Sequence, residues 1–175
     1  MQPVLKPVAT FWGGCLDLGL IRVVPSFWAR QTGRAFVIHN RVHWPGAIPE
    51  DLQLWEQALL VHELGHCWQA QSGQWQLSRG ILEQTLFTVF GLLPRWLGRP
   101  PLYDPYDYGG ADGLAATARL TDLALEGQAT VIEHYWLATH TGADILRGER
   151  LRDDLGQPTP FLKDLRRLCQ GIGLP

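Results

Sequence analysis

The chain has 175 residues, 18% of them charged and 46% apolar, with a net charge of −2 and three cysteines. That length suits one domain with a sound hydrophobic core, and the near-neutral balance argues against a nucleic-acid partner, which calls for a basic face. The odd, widely spaced Cys15, Cys67 and Cys169 make no disulfide framework and leave the cytoplasm as the default compartment.

At the N-terminus, Met1-Gln2-Pro3-Val4-Leu5-Lys6-Pro7 lacks the charged start and apolar core of a signal peptide. Export by a route that needs no cleavable signal stays open. Leu20-Ile21-Arg22-Val23-Val24 is short, β-branched and stopped by Pro25. Ala35-Phe36-Val37-Ile38-His39 is a second such run, and Val42-His43-Trp44 extends it or begins a third before Pro45-Gly46. These pieces predict a small antiparallel sheet. His39 and His43 read as edge or surface histidines.

Pro49-Glu50-Asp51 marks a helix start, with acidic groups near the positive end of the dipole. Apolar residues at Leu52, Trp55, Leu59, Val61 and Leu64 follow a mostly helical period, which predicts a helix to about Gln71, ended by Ser72-Gly73. Residues 74–78 read as a linker. Residues 81–90 read as an apolar helix that packs on the core, caps a groove or touches a membrane surface. The wider stretch 81–97 carries Glu83, Gln84, Pro94 and Arg95 and is too short and too polar for a transmembrane span. Residues 99–113 predict a loop rich in Pro, Gly and Asp that holds Tyr103, Tyr106 and Tyr108, and loops on a rigid scaffold often carry binding residues. A helix is expected over 115–139, with Leu120, Leu123, Leu125, Ala129, Ile132 and Trp136 on its apolar face, and a last amphipathic one over 161–169. The eight tryptophans require some rings to be exposed or to line a cleft. The fold class is therefore α+β and mostly helical.

The chemistry centres on His62-Glu63-Leu64-Gly65-His66, inside an apolar, helix-compatible run. On a helix, residues four apart lie one above the other, so both imidazoles aim at one point. That is the spacing for two nitrogen ligands of one Zn²⁺. Glu63 lies about 100° round the helix, near the metal without binding it, where it can take a proton from water activated there. The plainer alternative is a pair of core histidines hydrogen-bonded to neighbours.

A catalytic zinc needs a third protein ligand. The later candidates are Asp122, Glu126, Glu133, His134 and His140. Glu126 fits best, as a carboxylate on an otherwise apolar stretch, with small Gly127 and Ala129 allowing another helix to approach. Glu133 falls nearly on the same face and suits a carboxylate that orients a ligand histidine. His134 is a candidate to hydrogen-bond a reaction intermediate.

The run Val61-His62-Glu63-Leu64-Gly65-His66-Cys67-Trp68-Gln69-Ala70-Gln71, the Tyr106-Asp107-Tyr108 element and Leu125-Glu126-Gly127-Gln128-Ala129 together resemble the small zincin-like proteins associated with type VI secretion spikes. These are often labelled Vgr-related and are similar to the peptidase-like core domain of contractile injection systems. Glu126, Gln128 and Ala129 match the family's Glu-Gln-Gln-Ala element, and Gly127 departs from it. Asn40-Arg41-Val42-His43-Trp44-Pro45 matches its upstream strand. The resemblance covers about residues 15–140 and leaves 141–175 as a C-terminal helical extension. Residues 81–99 are longer and more apolar than the family pattern.

The resemblance implies a minimal zincin-like fold, a small sheet beside the His-Glu-x-x-His helix, and Zn²⁺ held by His62, His66 and Glu126. The resulting expectation is a zinc metallopeptidase with Glu63 as general base and Tyr106 or Tyr108 steadying the oxyanion. Its partners would be a peptide or protein substrate and components of a secretion system. Two alternatives stand beside it. One is a non-catalytic zinc module that docks to such an assembly, with His134 or Cys67 closing the site as a fourth ligand. The other is a hydrolase of a non-peptide amide such as a cell-wall link.

Overall fold

A computed structural model of the protein describes residues 1–74, 82, 85–99 and 103–175. The expected linker beyond Gln74, positions 81, 83 and 84 of the apolar segment, and Pro100-Pro101 lie outside the described residues. The fold is α+β and mostly helical.

A short helix not foreseen from the sequence, α1 (Lys6–Trp12), buries Val8, Phe11 and Trp12. The three expected extended runs then form strands β1 (Arg22–Pro25), β2 (Phe36–Ile38) and β3 (Arg41–Trp44). β2 and β3 are antiparallel, with Val37 opposite Val42. β1 instead lies parallel to β3, with Val23 beside Val42, so the sheet is mixed and ordered β1-β3-β2. The reason is α2 (Phe27–Thr32), capped at Ser26 and closed by left-handed Gly33. It carries the chain away from β1; β2 returns as the outer strand, and β3 slots between them running the same way as β1. Val23, Val37, Val42 and Trp44 are buried in the core.

The central helix α3 (Leu54–Gln71) begins later than Pro49 because Gln53 and Glu56 cap it reciprocally. The Glu56 carboxylate accepts from the Gln53 amide at 2.8 Å, satisfying a donor that the helix itself leaves open. From Ala58 to Gln69 nearly every side chain is buried, so the body of α3 runs through the interior while its first turn, with Leu54 and Trp55, is exposed.

Beyond it come a π-helical stretch (Phe87–Leu92) and the single turn α4 (Leu93–Trp96), with Pro94 in its first positions. Leu82, Val89 and Phe90 are exposed, as are Leu92, Leu93, Trp96 and Leu97 beyond them, so of the three readings of residues 81–90 these side chains do not take core packing. Among the described residues no helix is long and apolar enough to cross a membrane.

α5 (Gly110–Ala116) starts inside the expected loop, at left-handed Gly109. The helix expected from Ala115 is broken: Thr117 is extended, Leu120–Asp122 makes one isolated turn capped by Arg119 and Asp122, and α6 (Leu125–His140) begins only after extended Leu123. A small hairpin follows, β4 (Ile145–Leu146) and β5 (Glu149–Arg150). Its tip residues Arg147 and Gly148 both have positive φ, 52° and 83°, the pattern of a tight primed turn. α7 (Pro160–Gln170), capped by Thr159, buries Phe161, Leu162, Leu165 and Leu168 and packs against α6.

The principal contact is α3 on α6. It is close because Gly65 faces Ala129: a Cβ on Gly65 would stand 3.2 Å from the Ala129 Cα. Gly127 serves another neighbour, since a Cβ there would lie 3.1 Å from the Pro105 carbonyl oxygen. One buried cluster runs from Val4 to Leu174, so the segments flanking 15–140 share its core. Trp12, Trp44, Trp68 and Trp136 are buried, while Trp28, Trp55 and Trp96 are exposed.

Candidate metal centre

The α3–α6 contact brings the distant carboxylate onto the imidazole pair. Glu126 Oε2 lies 3.2 Å from His62 Nε2 and 3.2 Å from His66 Nε2. Zinc bonds of about 2.0–2.1 Å in tetrahedral array set ligand atoms about 3.3–3.4 Å apart, so this spacing suits a shared cation. Among the described residues His62, His66 and Glu126 form a group able to hold a metal ion, with ligand atoms within 4.8 Å of one another.

The other ring nitrogens argue the same way. His62 Nδ1 donates to Glu133 Oε2 at 3.1 Å, and His66 Nδ1 donates to Gln69 Oε1 at 2.9 Å. A carboxylate and an amide oxygen only accept, so both Nδ1 atoms carry protons. In the neutral rings that leaves two Nε2 lone pairs facing a carboxylate oxygen. Three acceptors converging in a buried site call for a cation between them.

Without a metal ion, protons play that part. Burial opposes charging His62, but hydrogen bonds to Glu126 and Glu133 outweigh it and push the pKa up to about 10. His66 is raised too, burial again being overcome by its bond to Glu126. Burial would raise Glu126, yet hydrogen bonds from both rings hold it well below the usual carboxylate range. Glu63 behaves differently. Burial raises its pKa against the pull of the two imidazoles, and its Oε2 is buried with no hydrogen-bond partner among the described residues. A buried carboxylate oxygen left unpaired is costly, and an activated water or a substrate proton would relieve it.

Beside this group opens a cleft of about 550 Å³. Its walls come from α3 (Leu59, His62, Glu63), α6 (Thr130, Glu133), the 103–109 loop, the hairpin tip and the turn at Gly33-Arg34-Ala35. Tyr106 lines it, with its ring 6.2 Å from that of His62 and tilted by only 23°. Tyr108 does not line it. That side chain is buried, and its hydroxyl lies 2.8 Å from His134 Nδ1. Burial lowers the His134 pKa to about 4, so near neutral pH the ring is uncharged and the Tyr108 hydroxyl donates to it. Those two residues hold each other, and neither is among the residues that line the cleft, where an oxyanion role for Tyr108 or an intermediate-binding role for His134 would be exercised.

The remaining third-ligand candidates are elsewhere. Asp122 pairs with Arg119 at 3.3 Å, and His140 stacks on Trp136 with ring centroids 5.3 Å apart. Cys67 is buried, its thiol pushed up to about 12 by burial and by the Glu63 charge. It is not in the His62, His66, Glu126 group. His43 stacks on Phe36 at 4.6 Å, and His39 sits in the β2–β3 turn with φ of 55°.

The sequence assigned no role to Gln69, which is fully buried. Its Oε1 accepts from His66 while its Nε2 donates to the Leu125 carbonyl at 2.8 Å and to Gln128 Oε1 at 3.1 Å. The available signal was an amide in an apolar helix three residues after a candidate ligand histidine, where it reaches back to that ring. Arg34, Arg95 and Arg147 of the cleft carried no comparable signal. Comparison of the chain with protein-family models, curated proteins and solved structures gives no match.

Proposed function

We propose that the protein is a zinc-dependent metallopeptidase acting on peptide or protein substrates, in the setting of the secretion or contractile injection assemblies whose associated proteins its motifs resemble. The observation that carries this reading is the buried Oε2 of Glu63, with no hydrogen-bond partner among the described residues, next to a two-histidine, one-carboxylate donor set whose His62 lines an open cleft. His62, His66 and Glu126 would hold the ion. Zinc bound there would polarise the scissile carbonyl and bring water near enough to ionisation to attack close to neutral pH.

The chain's own residues do the rest. Glu63 accepts the water's proton at Oε2 and delivers it to the leaving amine, and the basicity it gains from burial suits that task. Glu133 and Gln69 fix the two imidazoles in the Nδ1–H tautomer, so both Nε2 atoms point inward. Tyr106, on the cleft wall, offers its hydroxyl to the developing oxyanion. A closed, purely structural zinc site takes four protein ligands. Among the described residues no fourth side chain joins the three, which favours catalysis over a docking module.

The test is metal analysis together with cleavage profiling of wild type and Glu63→Gln against peptide and glycan-peptide libraries. The expected outcome is one zinc per chain in both proteins, with turnover of peptides by wild type and a fall of about 10²-fold or more in the variant. Undiminished cleavage by the variant would remove Glu63 from the mechanism. Cleavage confined to the glycan-linked amides would replace the peptidase reading.

A further inference from the structure

The charged groups lining the cleft are Arg34, Arg95, Arg147, Glu63, Asp104 and Glu133. Most are already engaged. Arg95 Nη2 lies 2.7 Å from Asp104 Oδ2. Glu133 accepts from His62 at 3.1 Å. Glu63 sits buried against the imidazole pair. That leaves two guanidiniums, and among the described residues neither Arg34 nor Arg147 has a carboxylate partner.

Arg147 is held where it is at a cost. It adopts φ of 52° at the hairpin tip, a left-handed conformation unusual for a long side chain. The turn aims the guanidinium at the cleft wall, where it lies 5.3 Å over the Tyr108 ring and Nη1 donates to the Tyr106 carbonyl at 3.2 Å. Together with a hydrogen bond to the Tyr108 side chain, these contacts engage part of the guanidinium. A guanidinium carries five N–H donors in a fixed fork, so donors remain for a ligand. Arg34 comes from a different element, the turn that closes α2, and reaches the same cleft.

We infer that Arg34 and Arg147 form a subsite that selects peptides by a carboxylate, supplied by an acidic side chain or by a free C-terminus. Paired Arg–carboxylate contacts are charge-assisted and fork-shaped, so they fix orientation as well as affinity. The inference rests on the peptidase reading for the location of the substrate, but it concerns binding and is tested apart from turnover.

The experiment uses the zinc-loaded Glu63→Gln protein and three peptides of equal length, with affinities measured by isothermal titration. One carries an internal Glu and an amidated C-terminus. The second has Gln in place of that Glu and a free C-terminal carboxylate. The third has Gln and an amide, and so has no carboxylate. At least one of the first two should bind roughly ten- to a hundredfold more tightly than the third, and which of them does so identifies the source of the charge. Adding Arg34→Glu and Arg147→Asn should bring that ratio to one or below while circular dichroism stays unchanged, since Asn tolerates positive φ. Arg34→Glu alone should shift preference towards a Lys-bearing peptide. Equal affinity for all three peptides, no binding at all, or a preference that survives both substitutions would overturn the inference. Preferential binding in a wild-type protein that cleaves none of the peptides would sink the peptidase reading and leave the subsite standing.

Discussion

The Tyr108–His134 pair has a thermodynamic signature of its own. His134 is buried and neutral in the folded protein, with its pKa lowered to about 4, whereas an unfolded histidine titrates near 6.5. Between those values the unfolded chain binds the extra proton, so stability falls as pH falls. The loss begins below about 6.5, is complete below about 4, and amounts to at most ~3 kcal/mol. Thermal midpoints measured from pH 7 to pH 4 should show this slope, and His134→Gln, which keeps an acceptor for the Tyr108 hydroxyl, should flatten it. An unchanged slope would assign the acid sensitivity to other groups. At this scale the sequence was informative where spacing alone decides. His62 and His66 are one helical turn apart, and Glu126 stood out as a charge among apolar neighbours. The Tyr108–His134 bond links residues 26 apart on different elements, and no local pattern encodes that.

Elements tell a similar story. The core of α3 was legible because its apolar run is long. Its start was misplaced because the Gln53–Glu56 cap competes with an acidic, proline-led start that looks equally good on paper. The break before α6 was hidden because Leu120 and Leu123 continue a helical period even though the chain is extended at Thr117 and Leu123. Parallel pairing of β1 with β3 depends on where α2 delivers the chain, which strand composition does not reveal. One glycine ties an element to the cleft loop. A Cβ at Gly113 of α5 would collide with the Tyr108 carbonyl oxygen, and backbone on both sides leaves little room to yield. Gly113→Ala should therefore cost about 1–3 kcal/mol, despite alanine's better helix propensity. It should also disturb the Tyr108–His134 bond. Thermal denaturation checks the first effect, and a rise of the His134 pKa towards its ordinary value, followed by NMR, checks the second.

For the whole molecule, a cation held at His62, His66 and Glu126 would be linked to the fold. Without metal, protonated imidazoles and the Glu126 carboxylate satisfy one another, so stripping the site leaves no bare cluster of acceptors. A ligand that binds only the native state stabilises it by about 4 kcal/mol at a thousand times its dissociation constant. Calorimetry should show a lower midpoint after chelation and recovery on adding zinc; a midpoint indifferent to both would mean that no ion is held there. Both imidazoles of this centre are buried, and a cleft opens beside them. The buried amide of Gln69 is bonded to a ring on one ligand helix and to the main chain and a side chain at the start of the other. Prising the helices apart to admit an ion would break all of these bonds in the dry interior. An ion entering through the cleft mouth, past Tyr106, would leave these bonds intact. Protein with a peptide seated in that mouth should neither gain nor shed its metal.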